Sequence, residues 1–199
     1  MLMAFISNGT TIFDAGAVSS SFKGAMTFIS KTTASSDANV GITSGIDSTY
    51  KEYIFIFKNI HPATDSVVFQ TNFSIDGGSN YNVTKTTTNF EATMSESGTT
   101  GFKYGTGDDL AQGTGYQRTG LVGNDNDENV NGFLHLYNPS STTFVKHFVA
   151  RTHGYYAGSY SWSNFMAGYC NTTSAVNAVN FQMSSGNIDS GDILLYGIN

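Results

Sequence analysis

Residues 50–57 read Tyr50-Lys-Glu-Tyr-Ile-Phe-Ile-Phe57, an aromatic and β-branched run without helical spacing. Successive side chains of a strand point to opposite faces, so Tyr53, Phe55 and Phe57 share one face and Ile54 and Ile56 take the other. Apolar residues on both faces predict a strand covered on both sides. Pro62 closes the run, and Val67, Phe69, Thr71 and Phe73 restart the alternation before Asp76-Gly77-Gly78 turns the chain. The stretch therefore reads as two strands and their turns. It holds no residue set usually needed for catalysis.

Outward from this stretch, strand signals recur at intervals of roughly ten residues, the rhythm of a sandwich or barrel. Upstream lie Thr27-Phe-Ile-Ser-Lys-Thr32 and Asn39-Val-Gly-Ile-Thr43. Downstream come Tyr81-Asn-Val-Thr84, the segment around Phe90, and a Gly- and Thr-rich loop from Gly98 to Gly115 with one weak strand in it. Tyr116 to Val122 resumes the pattern. Gly132-Phe-Leu-His-Leu-Tyr137, the Asn138-Pro139-Ser140 turn and Thr143 to Ala150 form a predicted hairpin. Tyr160 to Tyr169, Asn177 to Met183 and Ile193 to Tyr196 supply the last strands. The alternation predicts a core of Phe55, Phe57, Phe69, Leu134, Leu136, Phe148, Val179, Phe181 and Leu195. No helical period of useful length and no internal repeat occur.

Residues 1–27 read differently. Thr11-Ile-Phe13 is a short strand-like patch followed by small residues, so this segment is expected to be an extended arm or peripheral hairpin ahead of one domain over 28–199. Its apolar area is too small for a core of its own, which makes docking its expected use. Thr11, Ile12 and Phe13 are its candidate interface residues.

The chain has 199 residues, enough for one β domain that buries a core without metals or disulfides. Aromatic residues make up 14% and charged residues 12%, the latter about half the usual ~25%. Ser, Thr, Asn and Gly replace the missing charge, a composition suited to turns, exposed strand faces and polar protein contacts. The aromatic content argues against disorder. A net charge of −6 with basic residues scattered singly argues against binding a nucleic-acid backbone. No apolar run approaches the ~20 residues of a membrane-spanning helix. The start, Met1-Leu-Met-Ala-Phe-Ile, is too short and uncharged to read as a secretory signal. Cys170 is the single cysteine, set among apolar residues, and reads as a small buried side chain.

Candidate chemistry is sparse. His61, His135, His147 and His153 show no close ligand spacing, although His135 and His147 lie on the two arms of the predicted hairpin. Asp125, Asp127 and Asn129 begin like a calcium loop, but Val130 and Leu136 stand where that loop needs Gly and Glu, so the segment reads as a solvated acidic turn. No nucleophile elbow, phosphate loop or spaced Cys-His set occurs. No cofactor is expected, and the chain does not read as an enzyme. Tyr155, Tyr156, Tyr160 and Trp162 crowd a Gly/Ser-rich loop, and such aromatics stack on sugars or fill protein interfaces. Four Asn-X-Ser/Thr triplets, at Asn8, Asn72, Asn82 and Asn171, are unremarkable in so Asn- and Thr-rich a chain.

Several tracts taken together resemble a family of small structural proteins of tailed phages, especially those of marine and cyanobacterial hosts. The tracts are Thr43-Ser-Gly-Ile-Asp-Ser-Thr-Tyr50, Phe57-Lys-Asn-Ile-His-Pro-Ala-Thr-Asp65, Ser74-Ile-Asp-Gly-Gly-Ser79, His135-Leu-Tyr-Asn-Pro-Ser-Ser-Thr142 and Ser184-Ser-Gly-Asn-Ile-Asp-Ser-Gly-Asp-Ile-Leu-Leu-Tyr-Gly-Ile198. They fall within residues 28–198. The resemblance implies a virion component with a jelly-roll-like antiparallel β-sandwich, so the expected fold is all-β, that sandwich preceded by the extended N-terminal arm read above. It supplies no functional residues.

On that basis the expected function is a capsid decoration or cement protein bound to the outer shell, with the major capsid protein or other virion proteins as partners. The alternative is a tail-associated or fibre receptor-binding module that reads host surface glycans through the Tyr155–Trp162 segment. Few charges and only two prolines leave sheet edges poorly guarded, which predicts a homo-oligomer; the resemblance to phage sandwich modules, which often occupy three-fold positions, implies a trimer.

Overall fold

A computed structural model describes residues 5–14, 17–18, 25–156 and 159–199, and these contain strands and connections but no helix. The strands are β1 Phe5–Ser7, β2 Thr10–Asp14, β3 Ala17–Val18, β4 Met26–Asp37, β5 Val40–Ile42, β6 Glu52–Pro62, β7 Val67–Ser74 and β8 Lys85–Ser95. They continue with β9 Thr100–Tyr104, β10 Gln117–Val122, β11 Val130–Tyr137, β12 Lys146–Tyr156, β13 Tyr160–Cys170, β14 Ala178–Met183 and β15 Ile188–Ile198.

Two antiparallel sheets form a sandwich of unequal layers. The large sheet runs β4-β15-β6-β11-β12-β13-β8-β9, and the small one runs β10-β7-β14-β5. Along β6 the pattern alternates as read from the sequence, with Tyr53, Phe55 and Phe57 fully buried. Their rings meet the small sheet. Phe57 lies 5.1 Å from Phe69 on β7 and 5.2 Å from Phe181 on β14, while Phe55 lies 5.5 Å from Phe181. All nine expected core residues are buried, and Phe73 against Phe148, at 4.8 Å, extends the aromatic core toward β12. Burying a side chain of this size contributes roughly 1.5–3 kcal/mol, so these rings are the main reason the layers stay together.

Three expectations need correction. Ile54 and Ile56 are only half-buried, because no second layer covers that face among the described residues. Their shielding is lateral: Ile54 is flanked by His135 and Tyr196, and Ile56 by Phe133 and Leu194, their register partners on β11 and β15. Tyr81–Thr84 is not a strand. It is held instead by Asn72, whose side-chain amide donates to the Tyr81 carbonyl at 2.6 Å, and by the Val83 N–H donating to the Phe73 carbonyl at 3.4 Å. The return arm of the predicted hairpin begins at Lys146, since Ser141 caps the preceding turn by accepting from the Thr143 and Phe144 N–H groups.

The N-terminal segment contributes a three-stranded sheet, β1-β2-β3, in which Ile6 pairs with Thr11 and Phe13 with Val18. Residues 1–4, 15–16 and 19–24 of the expected 1–27 arm lie outside the described residues, as do Ala157 and Gly158. The side chains of Thr11, Ile12 and Phe13 also lie outside the description, so only the backbone pairing of these interface candidates is known.

Candidate functional site

The outer face of the large sheet carries the most unusual surface. Strand alternation places Phe133 of β11, Val149 and Arg151 of β12, Phe165 and Ala167 of β13, and Thr88 and Phe90 of β8 together there, around a shallow depression of about 390 Å³. Phe90 and Phe165 stack at 4.8 Å with an interplanar angle of 4°, and Phe102 of β9 joins them at 5.7 Å from Phe90. Phe102 is 75% exposed, and Met94, Tyr104, Tyr137 and Val149 are also exposed on this face. The Arg151 guanidinium lies 4.8 Å from the Phe165 ring centre, a cation–π contact. Among the described residues, Arg151 has no carboxylate partner. An apolar, aromatic surface with one accessible cation is suited to contact with a partner.

The second expected aromatic group is divided by the sheet. Tyr155, Tyr156, Tyr160 and Trp162 stand on β12 and β13 and not in a loop. Tyr156 and Tyr160 are direct cross-strand partners, and Trp162 lies 5.6 Å from the first and 6.5 Å from the second. Tyr155 points to the opposite face, where its hydroxyl donates to Glu96 at 3.3 Å. The period of two separates it from the other three, which sequence proximity concealed. Trp162 also receives Lys103 over its ring at 5.6 Å, and its indole N–H has no hydrogen-bond partner among the described residues.

The inner side at the β8–β13 end is polar. Glu91, fully buried, lies 3.4 Å from Arg118 and 3.2 Å from Lys103, and Arg118 also pairs with Asp108 at 2.9 Å. Three inward-facing rows away on the same strands, Lys146, Cys170 and Lys85 are consecutive register partners on β12, β13 and β8, all completely buried. Lys85 donates to the Asn72 side-chain oxygen at 2.6 Å and the Val83 carbonyl at 2.8 Å. Lys146 donates to the carbonyls of Phe144 and Thr172 at 2.8 and 3.1 Å. Burial lowers the Lys85 pKa to about 8, lowers that of Lys146, and pushes the Cys170 thiol up to about 12. Cys170 is buried as expected, but its two lysine neighbours were invisible in a sequence that scatters them. Only the strand register brings them together.

The remaining candidates resolve into structural roles. His135 contacts Glu52 through its Nδ1, and its cross-strand partner on β12 is Val149, so His147 sits diagonally and not opposite. In the acidic turn the Asp125 N–H donates to Glu128 at 3.1 Å and the Glu128 N–H to the Asp125 carbonyl at 2.9 Å, which closes the turn on itself. Burial, with Asp125, Asp65 and Asp127 nearby, raises the Glu128 pKa. No group of three metal-ligating side chains forms among the described residues. Asn72 is buried, and its amide bonds to the Tyr81 and Thr114 carbonyls, so its triplet serves packing.

No family model, no curated protein and no solved structure matches the chain.

Proposed function

We propose that the protein is a structural component of a tailed-phage virion, a decoration or cement protein that binds the outer shell. The observation that carries this reading is the uncovered aromatic face of the large sheet, from Phe133 across Phe165 and Phe90 to Phe102. A β-sandwich that exposes such a face in isolation gains stability when another protein covers it. The resemblance of five tracts within residues 28–198 to small phage structural proteins supports placing that partner in a virion. The N-terminal sheet adds a second contact region, since short strands join the edges of neighbouring sheets through backbone hydrogen bonds.

The half-buried cluster of Tyr156, Tyr160 and Trp162 favours a second reading, a tail-associated module that stacks host glycans on those rings. Copy number and position in purified virions separate the two. A virion reconstruction with many copies spread over the shell supports decoration. A few copies at the tail, with glycan-array binding lost in Trp162→Ala, support the alternative. Absence from the virion overturns both.

A further inference from the structure

β9 is the last strand of the large sheet, and all five of its residues, Thr100-Gly-Phe-Lys-Tyr104, are exposed. The direction of its backbone groups follows from the two ends of its ladder. The Ser95 N–H donates to the Thr99 carbonyl at 2.9 Å, and the Gly105 N–H donates to the Asn89 carbonyl at 2.8 Å. Both pairs extend the β8–β9 register, in which Glu91 faces Lys103 and Thr93 faces Gly101. Bonded and non-bonded pairs alternate in an antiparallel ladder, so Gly101 and Lys103 direct their N–H and C=O groups to β8. Thr100, Phe102 and Tyr104 direct theirs away from the sheet. The Tyr104 carbonyl accepts from the Thr106 N–H at 3.0 Å, and among the described residues no turn or loop bond reaches Thr100 or Phe102.

We propose that this edge pairs with the β9 edge of a second copy, antiparallel, about a two-fold axis at Phe102. Only that register pairs all five residues of the strand. Phe102 meets Phe102 of the other copy, and the pair exchanges both backbone hydrogen bonds. Gly101 meets Lys103, and Thr100 meets Tyr104. An axis at Lys103 would pair Phe102 with Tyr104, but it would set two ammonium groups opposite each other and leave Thr100 and Gly101 without partners in the strand. An axis at Thr100 or Tyr104 would leave most of the edge unpaired. The edge is lightly guarded: the strand has no proline, and its one charge, Lys103, lies on the inner face beside Glu91 at 3.2 Å and over Trp162. On the outer face the axis would join the aromatic row Phe165–Phe90–Phe102 to its counterpart, continuing the apolar surface across two large sheets.

An isologous contact of this kind closes after two copies. Five residues a side is far fewer than the roughly 20–30 of a standard interface, so the pair is a weak, concentration-dependent one. It persists where copies are already held close together. The inference does not depend on the virion reading, because it concerns the isolated chain.

Sedimentation of the full chain over a concentration series tests it. Wild type should follow a monomer–dimer equilibrium. Phe102→Glu, which places two carboxylates at the axis on an exposed position, should raise the dissociation constant at least ~10-fold without changing the unfolding midpoint. Phe102→Cys should give a covalent dimer with a short thiol-reactive cross-linker, while Phe28→Cys at the opposite end of the sheet should not. A chain that stays monomeric at every concentration overturns the proposal. So does a trimer, a dimer equally tight in Phe102→Glu, or equal cross-linking through Phe28→Cys.

Discussion

Lys85 faces Cys170 across the β8–β13 ladder, and both side chains are completely out of solvent. Burial disfavours the charged form of each, with opposite consequences for stability. The Lys85 pKa falls from an ordinary 10.5 to about 8, so between these values the unfolded chain holds a proton that the folded chain has released. Stability therefore rises with pH across that window, by roughly 3 kcal/mol at full extent, and Lys146 adds a term of the same sign. The Cys170 pKa rises from 9.0 to about 12, so there the folded chain keeps the proton and stability falls with pH, by a similar ~4 kcal/mol. The two slopes offset each other where the windows overlap, so stability should rise from about pH 8, level off between about 9 and 10.5, and fall above that. Urea unfolding at a series of pH values should show the rise flattened in Lys85→Met and the fall flattened in Cys170→Ala. Parallel profiles for wild type and both variants would remove the account.

Phe181 is expected to be among the most sensitive core positions. Its ring lies within 5.2–5.8 Å of Phe55, Phe57 and Phe69, joining β14 to both layers. Phe181→Ala removes those contacts and leaves a cavity, at a cost of about 3–5 kcal/mol. Phe102→Ala, on the exposed edge, should change stability by less than ~0.5 kcal/mol in dilute solution. Equilibrium denaturation measures both. Comparable losses would mean that the core is not where the aromatic cluster places it.

The residues that fixed the core were legible because strand alternation is a local rule. Tyr53, Phe55, Phe57, Phe69, Val179 and Phe181 needed only a period of two to be placed inward. The surface was not legible, because it depends on which strands become neighbours. Phe90, Phe102 and Phe165 are far apart in sequence and meet only through the β13-β8-β9 order. The same non-local order assembles Lys146, Cys170 and Lys85. Proximity in sequence misled in the opposite direction at Tyr155, which shares a segment with Tyr156 and yet lies on the other face.

Deleting residues 1–25 should leave the sandwich intact, since β4 begins at Met26 and, among the described residues, the core cluster contains none before it. Far-UV circular dichroism and the unfolding midpoint of the truncated chain should match those of the full chain. Under the decoration reading, the truncated chain should bind depleted virions more weakly. Loss of folding would assign the segment to the core, and undiminished attachment would remove it from the docking surface.

Glu91 should matter more than any other carboxylate in the chain. It is fully buried, with Arg118 at 3.4 Å and Lys103 at 3.2 Å, and Arg118 is itself mostly shielded. Glu91→Gln keeps the shape of the side chain but leaves two cations facing a neutral amide. Removing one partner of a buried ion pair costs about 3–5 kcal/mol, because the remaining charge stays desolvated. Arg118 retains Asp108 at 2.9 Å, which places the expected loss toward the lower end. Lys103→Met should cost less than ~1 kcal/mol, since that ammonium is largely in solvent and salt screens its attraction. Thermal or urea unfolding of the two variants at low and high salt gives the comparison. Glu91→Gln should be strongly destabilised at both ionic strengths, whereas the small Lys103→Met effect should fade as salt increases. Equal losses in the two variants would show that Lys103, and not Arg118, is the partner that makes burial of this carboxylate tolerable.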